Sequence, residues 1–263
     1  MPEGKATRSG ILRRLVYRLH FALSALIGGF FFVTLSLLAV FRIAVLKWDR
    51  ERVMGTWIPT WYRIMSATLG WAMPVEGEEG FETFRPAVVV INHQSNLDIV
   101  LWARFFPRQT VVVGKKQIKK IPVFGYIYQG TKNILIDRDN AERARRSLEE
   151  AARRINGERL NVWMAPEGHR NLGAEMLPFK KGAFHLAIAA QVPILPVVVG
   201  PVWTVLDAHR AMLRPGRVSV KVLDPISTAG LGDGDVDSLC ARVRTAMNVV
   251  RNELIASAGE RIG

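Results

Sequence analysis

Cysteine is nearly absent from this chain of 263 residues, where Cys240 is the only one. A single thiol excludes an internal disulfide and a multi-cysteine metal site. The place of Cys240 in an apolar helical pattern makes it a small core residue. Acidic residues are also in short supply. Against 36 Lys and Arg stand 23 Asp and Glu, giving a formal net charge of +13 and a pI near 10.4. A negatively charged partner or surface is therefore expected. No nucleic-acid-binding motif accompanies the charge, so nucleic acid is not the expected partner. Tryptophans gather instead in an apolar N-terminal region, which suits an anionic lipid surface. A Gly-x-Ser-x-Gly elbow is missing, which argues against the usual serine-hydrolase route. No cluster of ligating side chains has metal spacing, and neither metal nor cofactor is expected.

Charge is wholly missing from Leu19 to Phe41, which contains no Asp, Glu, Lys or Arg. That stretch reaches the ~20 residues a helix needs to cross a bilayer. It is too long for the apolar part of a cleaved signal peptide, and Arg42 and Lys47 follow it without a small-x-small site. A second apolar segment runs from Met54 to Val75, interrupted by Arg63, and carries Trp57, Trp61 and Trp71, rings suited to the headgroup boundary. Lys5, Arg8, Arg13, Arg14 and Arg18 precede the first segment, so basic residues flank it on both sides. Two arrangements fit: the first segment spans, or both segments form a hairpin in one leaflet. The second is the expectation, because it puts every basic flank at one surface, with Gly28-Gly29 and Pro59 helping to bend or pack the hairpin.

Beyond Val75 the pattern is that of an α/β domain. Short runs rich in branched residues predict strands over 87–91, 110–113, 133–136, 160–164, 194–199 and 218–222. Helical patterns lie between or after them at 97–105, 140–155, 182–190 and 236–255. The expected fold is α/β: a mixed, largely parallel sheet flanked by helices, preceded by a membrane-embedded two-helix motif. Two regions follow, 1–75 for the basic N-terminus and hairpin and 76–263 for the catalytic domain. The polar, glycine-bearing stretch 76–85 is the expected hinge.

Ile91-Asn92-His93-Gln94-Ser95-Asn96-Leu97-Asp98 follows the first predicted strand directly. Five residues on a helix put two side chains about 140° apart, so His93 and Asp98 can meet only across a turn or a helix start. Asn92, Ser95 and Asn96 are residues that such turns favour. His93 can then take a proton from an alcohol while Asp98 holds the opposite ring nitrogen. A surface-turn histidine is the plain alternative. Three further stretches fall just past predicted strands or lead into a helix, where α/β sheets bind ligands: Ile136-Asp137-Arg138, Ala165-Pro166-Glu167-Gly168-His169-Arg170, and Leu177-Pro178-Phe179-Lys180-Lys181-Gly182. Arg138 and Arg170 offer forked donors to a phosphate, and Glu167 can orient an arginine or accept from a hydroxyl. Singly, each reads as readily as a surface ion pair.

Together these blocks resemble the glycerolipid acyltransferases. Asn92 through Asp98 is similar to the family's first motif, NHxSxxD. Gly130 and Asn133 through Arg138 resemble the second motif, Pro166 through Arg170 the third, and Val192 through Val197 the fourth, in the same order and spacing over about 87–200. The resemblance is to the bacterial members that acylate 1-acylglycerol 3-phosphate. It implies transfer of an acyl group from acyl-CoA or acyl carrier protein to the sn-2 hydroxyl of lysophosphatidic acid, at the cytoplasmic face of a bacterial inner membrane. It also implies His93 and Asp98 as the catalytic pair, and Arg138, Glu167, Gly168 and Arg170 around the substrate phosphate. Lys115 is a candidate for the oxyanion or the donor. The lipid hydroxyl is the nucleophile, so Ser95 is a turn residue. His169 departs from the third motif, which usually has threonine there, and this leaves the acceptor open to another lysolipid such as a lyso-ornithine lipid. A non-enzymatic membrane-surface binding protein is the alternative of a different class.

Overall fold

The computed structural model describes residues 8–95, 98–104, 109–122, 124–130, 132–136, 141–171 and 175–259. Two helices open the chain, α1 (Arg8–Ala44) and α2 (Arg50–Leu69). They run antiparallel: Ser24 Oγ donates to Thr68 O at 2.9 Å, and Phe32 stands edge-on to Trp57 and Trp61 farther along. Helix α1 continues through Gly28-Gly29 and α2 through Pro59, so neither supplies the bend. The chain reverses in 45–49 instead, where Lys47 has φ 55° and Asp49 caps α2 by accepting from Arg52 N at 2.9 Å. Gly28 packs: a Cβ there would meet Met65 Sδ at 2.5 Å. Helix α2 ends at Leu69, short of the expected Val75, because Gly70 takes the left-handed conformation at φ 63° and closes it.

The sheet strands are β1 (Val75–Glu76), β2 (Ala87–Ile91), β3 (Thr110–Lys115), β4 (Ile134–Ile136), β5 (Asn161–Met164), β6 (Ile194–Val199) and β7 (Val220–Val222). Their order across the sheet is β1-β7-β6-β2-β5-β3-β4. The β6–β7 pairing is antiparallel and the others are parallel, as in the expected mixed sheet. β2 lies at the centre and is buried along its whole length. Its residues alternate: Ala87, Val89 and Ile91 join one core, Val88 and Val90 the other.

The second core is closed by α5 (Ala141–Glu158), α6 (Gly182–Ala190) and α7 (Val236–Gly259). The first is closed by α2, through Trp57, Ile58, Trp61, Met65 and Leu69, together with α3 (Asp98–Arg104). A further helix, α4 (Phe124–Gly130), stands beside the hairpin, with Phe124 6.0 Å from the Phe32 ring. Its glycine-bearing sequence has no apolar period long enough to read from sequence. The hairpin is thus one wall of the sheet's core, and apolar packing runs without a gap across residue 75.

Candidate active site

His93 stands two residues past the end of β2, and Asp98 lies in the first turn of α3. Asp98 makes the turn between them. Its Oδ2 accepts from Gln94 N at 2.7 Å and Ser95 N at 3.0 Å, and also meets His93 Nδ1 at 2.6 Å. Asp98 is buried while His93 keeps 22% of its side chain exposed. One carboxylate oxygen therefore fixes both the turn and the ring, and leaves Nε2 as the nitrogen available to a ligand. The Trp102 ring packs against the imidazole at 5.4 Å.

Side chains around the octet hold it to its neighbours. Asn92 pairs with the backbone of Val199, donating to its O at 3.0 Å and accepting from its N at 2.8 Å. Gln94 Nε2 donates to Val199 O and Gly200 O at 3.0 and 2.9 Å. His93 N donates to Glu167 Oε1 at 3.0 Å, and His93 O accepts from Asn171 N at 2.8 Å. The second oxygen of Glu167 accepts from Leu177 N at 2.9 Å. Glu167 is buried, and the structure places it behind the histidine, bracing two backbone segments. Arg251 of α7 is buried too, with its guanidinium 5.7 Å from the Trp203 ring. Burial lowers the pKa of Arg251, and the negative charge of Glu167 opposes that shift.

A cavity of about 710 Å³ opens in front of His93. It is lined by Gly168, His169, Arg170 and Lys115, by Trp57, Ile58 and Trp61 of the hairpin, and by Phe124 and Tyr128 of α4. The lining is mixed: His93, Ser95, Lys115, Asn133, His169 and Arg170 are polar, and most of the other lining residues are apolar. Among the described residues no group of three or more His, Cys, Asp or Glu is placed to hold a metal ion. Asp137 and Arg138 lie outside the described residues.

Of the residues expected from sequence, His93, Asp98, Glu167, Gly168, Arg170 and Lys115 come together here. Asn92, expected as a turn residue, instead holds the Val199 backbone; Gln94 stands in the motif without a role of its own, and Trp102, Asn171 and Arg251 carry no expectation from sequence. Arg251 had left a signal. It falls in the buried series Val236, Leu239, Val243, Met247, Arg251, Leu254, where a charge on an apolar face demands a partner.

The sheet carries a histidine–aspartate pair past its central strand, and a family model described as Acyltransferase matches residues 72–200. The chain belongs to this family. Within it, the chain is 40% identical over 180 residues to the 1-acyl-sn-glycerol-3-phosphate acyltransferase of Escherichia coli K12, covering 68% of this chain and 73% of that one. It is 39% identical, over the same shares of both chains, to the enzyme of that name from Salmonella typhimurium. The crystal structure of the 1-acyl-sn-glycerophosphate (LPA) acyltransferase PlsC from Thermotoga maritima superposes with a TM-score of 0.68 at 26% identity, over 93% of this chain and 97% of that one. Membership sets the non-enzymatic reading aside.

Proposed function

We propose that this protein transfers a fatty acyl group from acyl-CoA or acyl carrier protein to the sn-2 hydroxyl of lysophosphatidic acid, giving phosphatidic acid. The 2.6 Å contact between His93 Nδ1 and Asp98 Oδ2, at the wall of a cavity lined by both polar and apolar residues, carries this reading. Nε2 of His93 removes the hydroxyl proton as the oxygen attacks the thioester carbonyl carbon. The buried carboxylate of Asp98 stabilises the imidazolium. The tetrahedral oxyanion collapses, the carbon–sulfur bond breaks, and the leaving thiolate takes the proton back. Arg170, with Arg138 as its expected companion, holds the phosphate and so keeps the hydroxyl near Nε2. Lys115 stands at the cavity wall as a donor for the oxyanion or for a donor phosphate. Glu167 acts through the His93 backbone rather than by touching the phosphate.

The hairpin belongs to this function. Exposed apolar residues form one stripe along α1, among them Leu12, Leu15, Leu19, Leu23, Leu26, Phe30, Leu37 and Phe41. The opposite face of α1 packs on α2. A helix of 37 residues, about 55 Å long, that is packed along one side and apolar along the other lies in one leaflet rather than across the bilayer. Its basic flanks then rest on anionic headgroups, and the hairpin residues Trp57, Ile58 and Trp61 in the cavity wall bring the site close to the lipid that supplies the acceptor.

The exposed His169 at the cavity wall favours a second reading within the family, an acceptor with a different head such as a lyso-ornithine lipid. The test is transfer by the purified protein from labelled acyl-CoA or acyl carrier protein to a panel of lysolipids. Lysophosphatidic acid is expected to be the preferred acceptor. Transfer to another lysolipid with none to lysophosphatidic acid overturns the substrate and keeps the reaction.

A further inference from the structure

Lys180 lies against Gly168, a residue of the cavity wall, and carries a positive charge that the proposed steps leave without a role. The segment it belongs to is clamped onto the turn at 166–168 at two points: Leu177 N donates to Glu167 Oε2 at 2.9 Å, and Lys180 N donates to Pro166 O at 2.8 Å. The clamp draws the Lys180 side chain across Gly168. A Cβ on residue 168 would stand 2.7 Å from Lys180 Cε, 2.8 Å from Nζ and 2.9 Å from Cδ. The end of the lysine therefore rests on the bare α-carbon, and only glycine leaves room for it. Gly168 also has φ +72°, a conformation that side chains disfavour.

Gly168, His169 and Arg170 are consecutive and line the same wall of the cavity that contains His93. The ammonium thus lies against the Gly168 end of that stretch. Among the described residues it has no acidic partner, whereas the adjacent Lys181 pairs with Asp237 at 2.7 Å. A lysine seated by its own backbone bond and a glycine shelf, against the stretch that carries Arg170 and with no acidic partner among the described residues, suits an anion that arrives with a substrate.

We propose that Lys180 is a substrate-positioning residue that holds a phosphate group beside the Gly168–Arg170 stretch of the cavity wall. The inference rests on the transferase reading above. Acceptor and donor both bring phosphate, and steady-state kinetics with each substrate varied in turn tell them apart.

Lys180→Met is expected to raise KM for one substrate about tenfold, the worth of one charge-assisted hydrogen bond, with kcat within a few-fold of the parent. Lys180→Arg is expected to recover most of the loss, and Lys181→Met to match the parent. A rise in the KM of lysophosphatidic acid assigns the acceptor phosphate; a rise in the donor KM assigns the phosphate of the CoA or phosphopantetheine arm. Both KM values unchanged in Lys180→Met overturns the proposal while the parent's transfer activity stands. Equal losses in Lys180→Met and Lys180→Arg overturn it as well, since charge would then not be the cause. If the lysolipid panel identifies a different acceptor, the same comparison is made with that acceptor, so the two readings fail separately.

Discussion

In the proposed mechanism, the octet that ends in Asp98 separates two kinds of residue, those that meet a substrate and those that hold them still. His93→Ala is expected to lower turnover by about 100- to 10,000-fold while leaving a folded protein, because the ring is partly exposed and its hydrogen bond is to Asp98. Asp98→Asn tests more than the ring, since the same oxygen accepts from Gln94 N and Ser95 N, and it is expected to lose both turnover and some stability. Glu167→Gln distinguishes bracing from phosphate binding. An amide nitrogen would face either His93 N–H or Leu177 N–H, costing about 1–3 kcal/mol and displacing the histidine. Denaturation midpoint and kcat should fall together with acceptor KM little changed. A raised acceptor KM at unchanged stability would return Glu167 to the phosphate.

Most strands and helices were legible because their periods are clean. Residues 87–91 and 194–199 are continuous apolar runs bounded by turn residues, and both are central strands buried on two faces. The helix predicted at 182–190 has those limits in the structure. The seven-residue helix Phe124–Gly130 escaped because Gly125 and Gly130 break any apolar period. Gly125 has a steric reason to be there: a Cβ would stand 2.6 Å from Lys119 O and 2.7 Å from Ile118 O, both backbone atoms that cannot swing aside. Gly125→Ala is therefore expected to destabilise the protein by about 1–3 kcal/mol, read as a lowered Tm, and to disturb the cavity wall formed by Phe124 and Tyr128. An unchanged Tm would show that the 118–125 turn shifts freely. At the site, the spacing of His93 and Asp98 required a turn between them, and that much could be read from sequence. The bracing by Asn92, Gln94 and Glu167 could not, because it depends on which strand ends lie side by side, and Val199 is 107 residues from Asn92.

At the scale of the whole molecule, the hairpin and the sheet are one packed body, so seating α1 in a leaflet also seats the cavity. This orientation can be tested without breaking the core. Cys240 is the only thiol, and burial together with the charge of Asp237 raises its pKa. It should react slowly with maleimides near neutral pH, and Cys240→Ser removes the background altogether. In that background, Arg13→Cys and Lys47→Cys place probes near the two ends of α1, both at exposed positions. If α1 lies in one leaflet, an impermeant maleimide labels both from the face that carries the catalytic domain and neither from the other. Labelling of the two from opposite faces would make α1 a spanning helix, and α2, packed along it with the sheet on its far side, would have to enter the bilayer too. Binding of the intact protein to vesicles with anionic headgroups should weaken as salt rises, because the +13 charge is screened over ~10 Å at 0.1 M salt. The part that survives high salt measures the apolar stripe alone.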